Sequence, residues 1–122
     1  MARNFDGMYI GGRWVHPGRS FDDLNPADGS VWARVPDGGL AETRAAIDAA
    51  HAAFPAWSGL MFQQRSHYMI KIAEVIERRR KDLVEALKAE GGGWFGKGMF
   101  ESGYMADVFY AAAASNYAAI GE

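Results

Sequence analysis

The sequence contains no cysteine, and this absence removes several classes of function from its 122 residues. Without cysteine there is no disulfide framework, no thiolate ligand for a metal ion and no cysteine nucleophile. The N-terminal residues lack the apolar core of a signal peptide, and no apolar run reaches membrane-spanning length. We therefore expect a cytoplasmic protein without a membrane partner.

The sequence also lacks a large excess of positive or negative charge. Thirteen Lys and Arg residues stand against fifteen Asp and Glu residues, for a net charge of -2. Because nucleic-acid binding leaves a strongly basic footprint, we expect no nucleic-acid partner. Hydrophobic residues make up 49% and charged residues 23%, which is typical of a globular chain with a modest core.

Short strand-like segments and turns occupy the region from about residue 9 to residue 36. Gly11-Gly12 separates two β-type runs and predicts a tight hairpin, because both glycines can adopt positive φ angles. The segments Phe21–Leu24 and Val31–Val35 follow as extended runs bounded by turn residues. The predicted architecture therefore begins with short β-strands.

Helical periodicity begins at Leu40 and predicts three α-helices, at about residues 40–56, 61–89 and 97–120. Pro55 is expected to end or kink the first helix, and Gly91-Gly92-Gly93 to stop the second. The third helix is apolar over much of its circumference, so its aromatic residues are expected to be covered on more than one side. This pattern predicts further protein after residue 122.

Two basic or glycine-rich runs allow a phosphate-binding interpretation. Arg78 to Lys81 is flanked by glutamates and is predicted to be a solvated helix face, with a phosphate or nucleic-acid patch as the alternative. Gly91 to Gly98 satisfies two glycine-rich phosphate motifs through Gly91, Gly93, Gly96 and Lys97. Both motifs require a preceding strand, but the residues before Gly91 predict a helix. The P-loop also requires a Ser or Thr hydroxyl after its lysine, and Gly98 stands at that position. We therefore predict a structural turn anchored by Trp94 and Phe95.

No residue pattern typical of an active site or a metal site is present. The histidines do not have ligand spacing, the serines do not lie in a nucleophile elbow, and the two carboxylates beside the glycine run have no evident partner. These candidates are His16, His51, His67, Glu90 and Glu101. We predict that this chain holds no catalytic, cofactor-binding or metal-binding residue.

Four sequence elements occur in a specific order. They are the Ile-x-Gly-x-Trp strand of Tyr9 to Val15, the Asn-Pro-Ala-x-Gly segment of Asn25 to Pro36, the Ala-Ala-Phe-Pro-x-Trp helix end of Ala52 to Trp57, and Arg65 followed by a helix of Ile-Ala-Glu-x-Ile-Glu-x-Arg character from Ile72 to Arg79. This order resembles the N-terminal part of the aldehyde dehydrogenase superfamily over nearly the whole chain. Most members carry Gly-Lys after a glutamate, whereas here Gly93 replaces the lysine. That replacement resembles the branch acting on aromatic aldehydes such as benzaldehyde, salicylaldehyde or vanillin.

The resemblance implies an α/β fold in which residues 1–122 form an incomplete part of the coenzyme-binding domain. It implies NAD(P)-dependent oxidation of an aldehyde to an acid by the whole protein, through a cysteine, an asparagine, a glutamate and an NAD or NADP site. All of these lie downstream of the matched portion in the family. We therefore expect this chain alone to be inactive and to bind no cofactor.

The implied partner is the remainder of the dehydrogenase or a homologous subunit. Two alternatives to an N-terminal enzyme segment stay open: a non-catalytic docking module or gene remnant, and a small phosphate-binding protein using Gly91 to Lys97.

Overall fold

The computed structural model describes residues 3–5 and 7–118, with the side chains of Arg3 and Asn4 left out. The chain divides into two compact units, Met1–Ser58 and Gly59–Glu122. The elements in chain order are β1 Arg3–Asn4, β2 Met8–Ile10, β3 Arg13–Val15, β4 Ser20–Leu24, β5 Val31–Pro36, α1 Leu40–Ser58, α2 Phe62–Arg78, α3 Arg80–Gly91 and α4 Phe95–Ser115. This α/β arrangement of short strands followed by helices confirms the predicted fold class.

The hairpin of the first unit is the one predicted from its glycine pair. Strands β2 and β3 run antiparallel, with Tyr9 opposite Trp14. Gly11 and Gly12 have φ angles of 58° and 79°, so both turn residues lie in the left-handed region. A two-residue turn of this kind matches the twist of the flanking strands.

A three-stranded sheet with the order β1-β5-β4 completes the strand part of the first unit. Strand β4 pairs with β5 in antiparallel fashion, and β1 pairs with β5 in parallel. Two-residue β1 was absent from the sequence prediction, because a segment so short has no measurable periodicity. Ala33 on the central strand is fully buried.

Helix α1 continues past Pro55 to Ser58, so of the two effects predicted for this proline, ending or kinking the helix, the first was wrong. Proline removes one backbone donor but leaves its own carbonyl free, and the Ser58 hydroxyl donates to the Pro55 carbonyl at 3.3 Å. At the other end, the Gly39 N–H donates to the Glu42 carboxylate at 2.7 Å. This bond lowers the pKa of Glu42 below its usual value.

The second predicted helix, residues 61–89, is two helices in the structure. Helix α2 ends at Arg78 and α3 begins at Arg80, with Arg79 at φ -99° and ψ 12° between them. The local residues all favour helix, so their sequence carries no break signal. The change of direction instead lets Val84 of α3 pack against Gly98 of α4, a tertiary contact that periodicity does not report.

Helix α4 packs on its neighbours through its small residues, and the expectation that further protein covers its aromatic side chains stays a prediction. Its buried positions are Gly98, Ser102, Ala106 and Ala113. Ala106 joins Ala73 and Ile76 of α2 in the core of this unit, with Phe109 and Leu83 packed at its edge. Phe100, Tyr104 and Tyr117 are 70%, 61% and 63% exposed.

The helix predicted to reach residue 120 is observed to Ser115, and Ala119 and Ile120 lie outside the described residues. The Ser66 hydroxyl is buried and donates to the Ala113 carbonyl at 2.8 Å, which ties α2 to the end of α4. Among the described helices, none is long and apolar enough to cross a membrane.

Candidate functional site

The glycine run between α3 and α4 is a helix–helix turn, as predicted. Gly92 has a φ of 59° and caps the end of α3, and Trp94 precedes the first turn of α4. The N–H groups of Lys97 and Gly98 donate to the Trp94 carbonyl at 3.1 and 3.3 Å. The Trp94 indole lies directly over Gly96. The Trp94 ring therefore covers the Gly96 surface that a phosphate would approach, so this turn does not offer the open glycine surface of a phosphate motif.

Of the charged residues beside this turn, Lys97 and Glu101 form an ion pair and Glu90 is exposed to solvent. Lys97 Nζ lies 3.6 Å from Glu101 Oε1 within α4, a pair four residues apart on one helix face. Glu90 is exposed in the last turn of α3. The Lys97 ammonium therefore has a carboxylate neighbour in place of a phosphate.

The three histidines lie in separate places. His16 follows β3 and His51 is exposed on α1, both in the first unit. His67 of the second unit lines an open cavity of about 450 Å³ with Gln63, Gln64 and Lys71. Within residues 3–5 and 7–118, no three His, Asp or Glu side chains come together where a metal ion could be held.

A tyrosine–carboxylate pair links two helices of the second unit. The Tyr110 hydroxyl of α4 donates to Glu77 Oε2 of α2 at 3.2 Å. Desolvation raises the pKa of Tyr110, and the Glu77 charge acts in the same direction. The two residues are 33 positions apart in the chain, so this pairing became visible only when α4 was placed beside α2.

The basic run Arg78 to Lys81 is not the uniform solvated face that its sequence predicts. Arg79 pairs with Asp82 at 3.3 Å, whereas Arg80 is half-buried beside α4. Arg80 and Lys81 line a groove between α3 and α4 of about 390 Å³. Sequence reasoning missed this groove because it forms only where α3 packs against α4, and periodicity does not report contacts between helices.

The motif order, the hairpin and the helix series together point to one family. The profile of the aldehyde dehydrogenase family matches residues 14–121. The chain belongs to the aldehyde dehydrogenase family. Its resemblance to this family's N-terminal part, described above from the motifs, is thereby confirmed.

Similar proteins of known sequence support the same assignment. The 2-aminomuconic semialdehyde dehydrogenase of Danio rerio is 39% identical over 84 residues, which cover 69% of this chain and 17% of that protein. Acetaldehyde dehydrogenase 2 of Cupriavidus necator is 40% identical over 86 residues, with the same shares covered. The chain thus spans about a sixth of the length of these relatives.

Solved structures agree with the observed fold. Lactaldehyde dehydrogenase from Escherichia coli matches with a TM-score of 0.93 and 31% identity over 100% of this chain and 26% of that one. The NAD-dependent benzaldehyde dehydrogenase from Corynebacterium glutamicum matches with a TM-score of 0.85 and 29% identity over 91% of this chain and 25% of that one. These proteins carry the same arrangement of strands and helices within a longer chain.

Proposed function

We propose that the protein containing this chain oxidises an aldehyde to its carboxylic acid with NAD or NADP, and that the aldehyde is aromatic. The observation that carries the first part is the family match over residues 14–121. In this proposal the chain supplies scaffold, while the nucleophile and the cofactor site belong to the longer protein.

The contribution of this chain to the reaction is structural. NAD(P) supplies the hydride acceptor when it is bound, but the glycine turn at Gly91 to Lys97 does not fit its phosphates. What the described residues do is hold α2 and α4 together through Ala73, Ile76 and Ala106, with Leu83 of α3 packed against them. We propose that the remainder of the dehydrogenase, or a homologous subunit, packs against this unit.

The aromatic substrate is proposed from a single residue. Gly93 stands where most family members have lysine, as it does in the aromatic-aldehyde branch. The benzaldehyde dehydrogenase match agrees with this proposal, although the lactaldehyde dehydrogenase match has the higher TM-score. Gly93 therefore remains the main support for an aromatic substrate.

An assay of the protein encoded by the complete gene tests both parts. We expect reduction of NAD or NADP with benzaldehyde, and a kcat/KM for benzaldehyde about tenfold or more above that for acetaldehyde, because a pocket shaped for a ring discriminates on this scale. NADH or NADPH absorbance measures the rate.

The matched control is the 122-residue chain by itself, for which we expect no turnover with either aldehyde. Equal or lower kcat/KM for benzaldehyde would contradict the aromatic assignment alone. Turnover by the 122-residue chain would contradict its proposed role as scaffold.

A second candidate function is favoured by the uncovered surface of α4. Phe100 and Tyr104 stack in parallel with ring centroids 6.0 Å apart, yet both are largely exposed. An exposed aromatic patch of this kind is typical of an interaction surface. The chain would then act as a non-catalytic module that docks onto a homologous subunit, and sedimentation of the 122-residue chain tests this candidate.

A further inference from the structure

The groove between α3 and α4 combines an apolar wall with a cationic end. Its lining residues are Arg80, Lys81, Val84, Glu85, Phe95 and Met99, around a volume of about 390 Å³. Val84 is buried at its base, whereas Phe95 is 59% and Met99 37% exposed at its wall. A volume of this size with mostly apolar lining and a few polar groups is typical of a small-molecule site.

Arg80 is the polar group of this groove whose hydrogen bonding is incomplete. Its Nε is buried and has no hydrogen-bond partner in the described part of the chain. Its Nη2 lies beside α4, 3.5 Å from the position a Cβ on Gly103 would take. A guanidinium keeps its charge at every physiological pH, and an enclosed donor without an acceptor is costly. Because Arg80 also lines the groove, its guanidinium is suited to an acceptor that enters there.

The surrounding charges leave this end of the groove positive. Asp82 is paired with Arg79, and Glu85 lies 3.4 Å from Lys88 Nζ. Among the described residues, neither Arg80 nor Lys81 has an ion pair, so two cations remain at the mouth. A carboxylate is the acceptor whose geometry matches a guanidinium, because its two oxygens accept parallel N–H bonds.

We propose that this groove binds a small apolar carboxylate, with the carboxylate on Arg80 and the apolar part against Phe95, Met99 and Val84. The features that support this site do not rest on the proposed function. The ligand class follows from the two halves of the groove: the cationic end selects the carboxylate, and the apolar wall selects the hydrophobic body.

The test is a titration of the 122-residue chain with benzoate, followed by NMR of isotopically labelled methionine methyl groups. We expect a saturable shift of the Met99 methyl. Arg80→Gln is expected to raise the benzoate Kd about tenfold or more, because a hydrogen bond to a charged group is lost. Arg79→Gln is the matched control, since Arg79 is exposed and paired with Asp82, and its Kd is expected to stay within about twofold of the original.

Two further probes separate the halves of the site. Benzyl alcohol lacks the carboxylate and acetate lacks the ring, so both are expected to bind about tenfold or more weakly than benzoate. Phe95→Ala removes part of an exposed wall and is expected to weaken benzoate binding with the fold intact, as judged by circular dichroism. This variant keeps the test decisive if Arg80→Gln fails to fold.

The proposal is overturned if benzoate gives no saturable shift at Met99, or if acetate or benzyl alcohol binds as tightly. Equal benzoate affinity in a folded Arg80→Gln variant would also overturn it, as would equal affinity in Phe95→Ala. None of these outcomes bears on turnover of benzaldehyde by the longer protein, so failure here and failure of the proposed function are distinguishable.

Discussion

Small residues control how closely α4 approaches its neighbours. Gly98, Ser102 and Ala106 are spaced four apart and face inward, which brings the α4 backbone close to α2 and α3. A Cβ added at Gly98 would lie 3.1 Å from Val84 Cγ1 and 3.4 Å from the Val84 backbone. At this contact the absence of a side chain is the structural requirement.

Gly98→Leu is therefore expected to destabilise the chain by about 1–3 kcal/mol, because the added atoms have no space against Val84. The measurement is the free energy of unfolding in urea. Gly91→Leu is the matched control, since a Cβ at this exposed helical glycine meets nothing within 4 Å. We expect Gly91→Leu to be neutral or slightly stabilising through helix propensity. Equal losses for the two variants would contradict close packing at Gly98.

At the scale of elements, the β2–β3 hairpin depends on backbone conformation rather than on packing. A Cβ at Gly12 would meet nothing within 4 Å, but its φ of 79° is one that L side chains rarely adopt. Tyr9 and Trp14 face each other across the two strands with ring centroids 5.4 Å apart. These rings provide a local optical signal for the integrity of the hairpin.

Gly12→Val is expected to weaken the hairpin by about 1–2 kcal/mol, because a β-branched residue is strained at positive φ. Near-ultraviolet circular dichroism of the Tyr9–Trp14 pair, followed through thermal unfolding, measures the effect. Gly12→Asn is the control, since asparagine tolerates the left-handed region, and a much smaller loss is expected. A folded Gly12→Val hairpin with unchanged unfolding would argue against the left-handed turn.

Among the described residues, the buried hydrophobic core contains no aromatic side chain, whereas many aromatic side chains are largely exposed. Outside the groove between α3 and α4, the exposed aromatic residues of the second unit include Trp94, Phe100, Tyr104 and Tyr117. The chain also spans only 26% of the lactaldehyde dehydrogenase that it matches over its full length. Both observations support the proposal that further protein packs on this unit.

We expect the 122-residue chain to self-associate in sedimentation velocity experiments and to bind a hydrophobic dye, because exposed apolar surface drives association. The double substitution Phe100→Ser and Tyr104→Ser is expected to lower both the self-association and the dye binding. Ile47→Ser is the matched control, removing a 62% exposed apolar side chain from the first unit. A compact monomer with little dye binding would contradict the docking candidate.

The sequence by itself determined the local structures and the family. The paired glycines Gly11-Gly12 specify a turn through their φ angles alone, and Gly92 ends α3 for the same local reason. The order of short motifs was sufficient to indicate an aldehyde dehydrogenase segment, because each motif is contiguous in the chain. These features depend on neighbouring residues only.

Tertiary structure decided the break at Arg79, the inward face of α4 and the environment of Arg80. Periodicity identifies an apolar face but does not distinguish a face of small residues that permits close approach from a face of large aromatic residues. That choice depends on Val84 meeting Gly98, a contact between two helices. The packing of α3 on α4 also places Arg80 beside α4. Of the four basic residues from Arg78 to Lys81, Arg80 is the one that is half-buried, and it lines the groove.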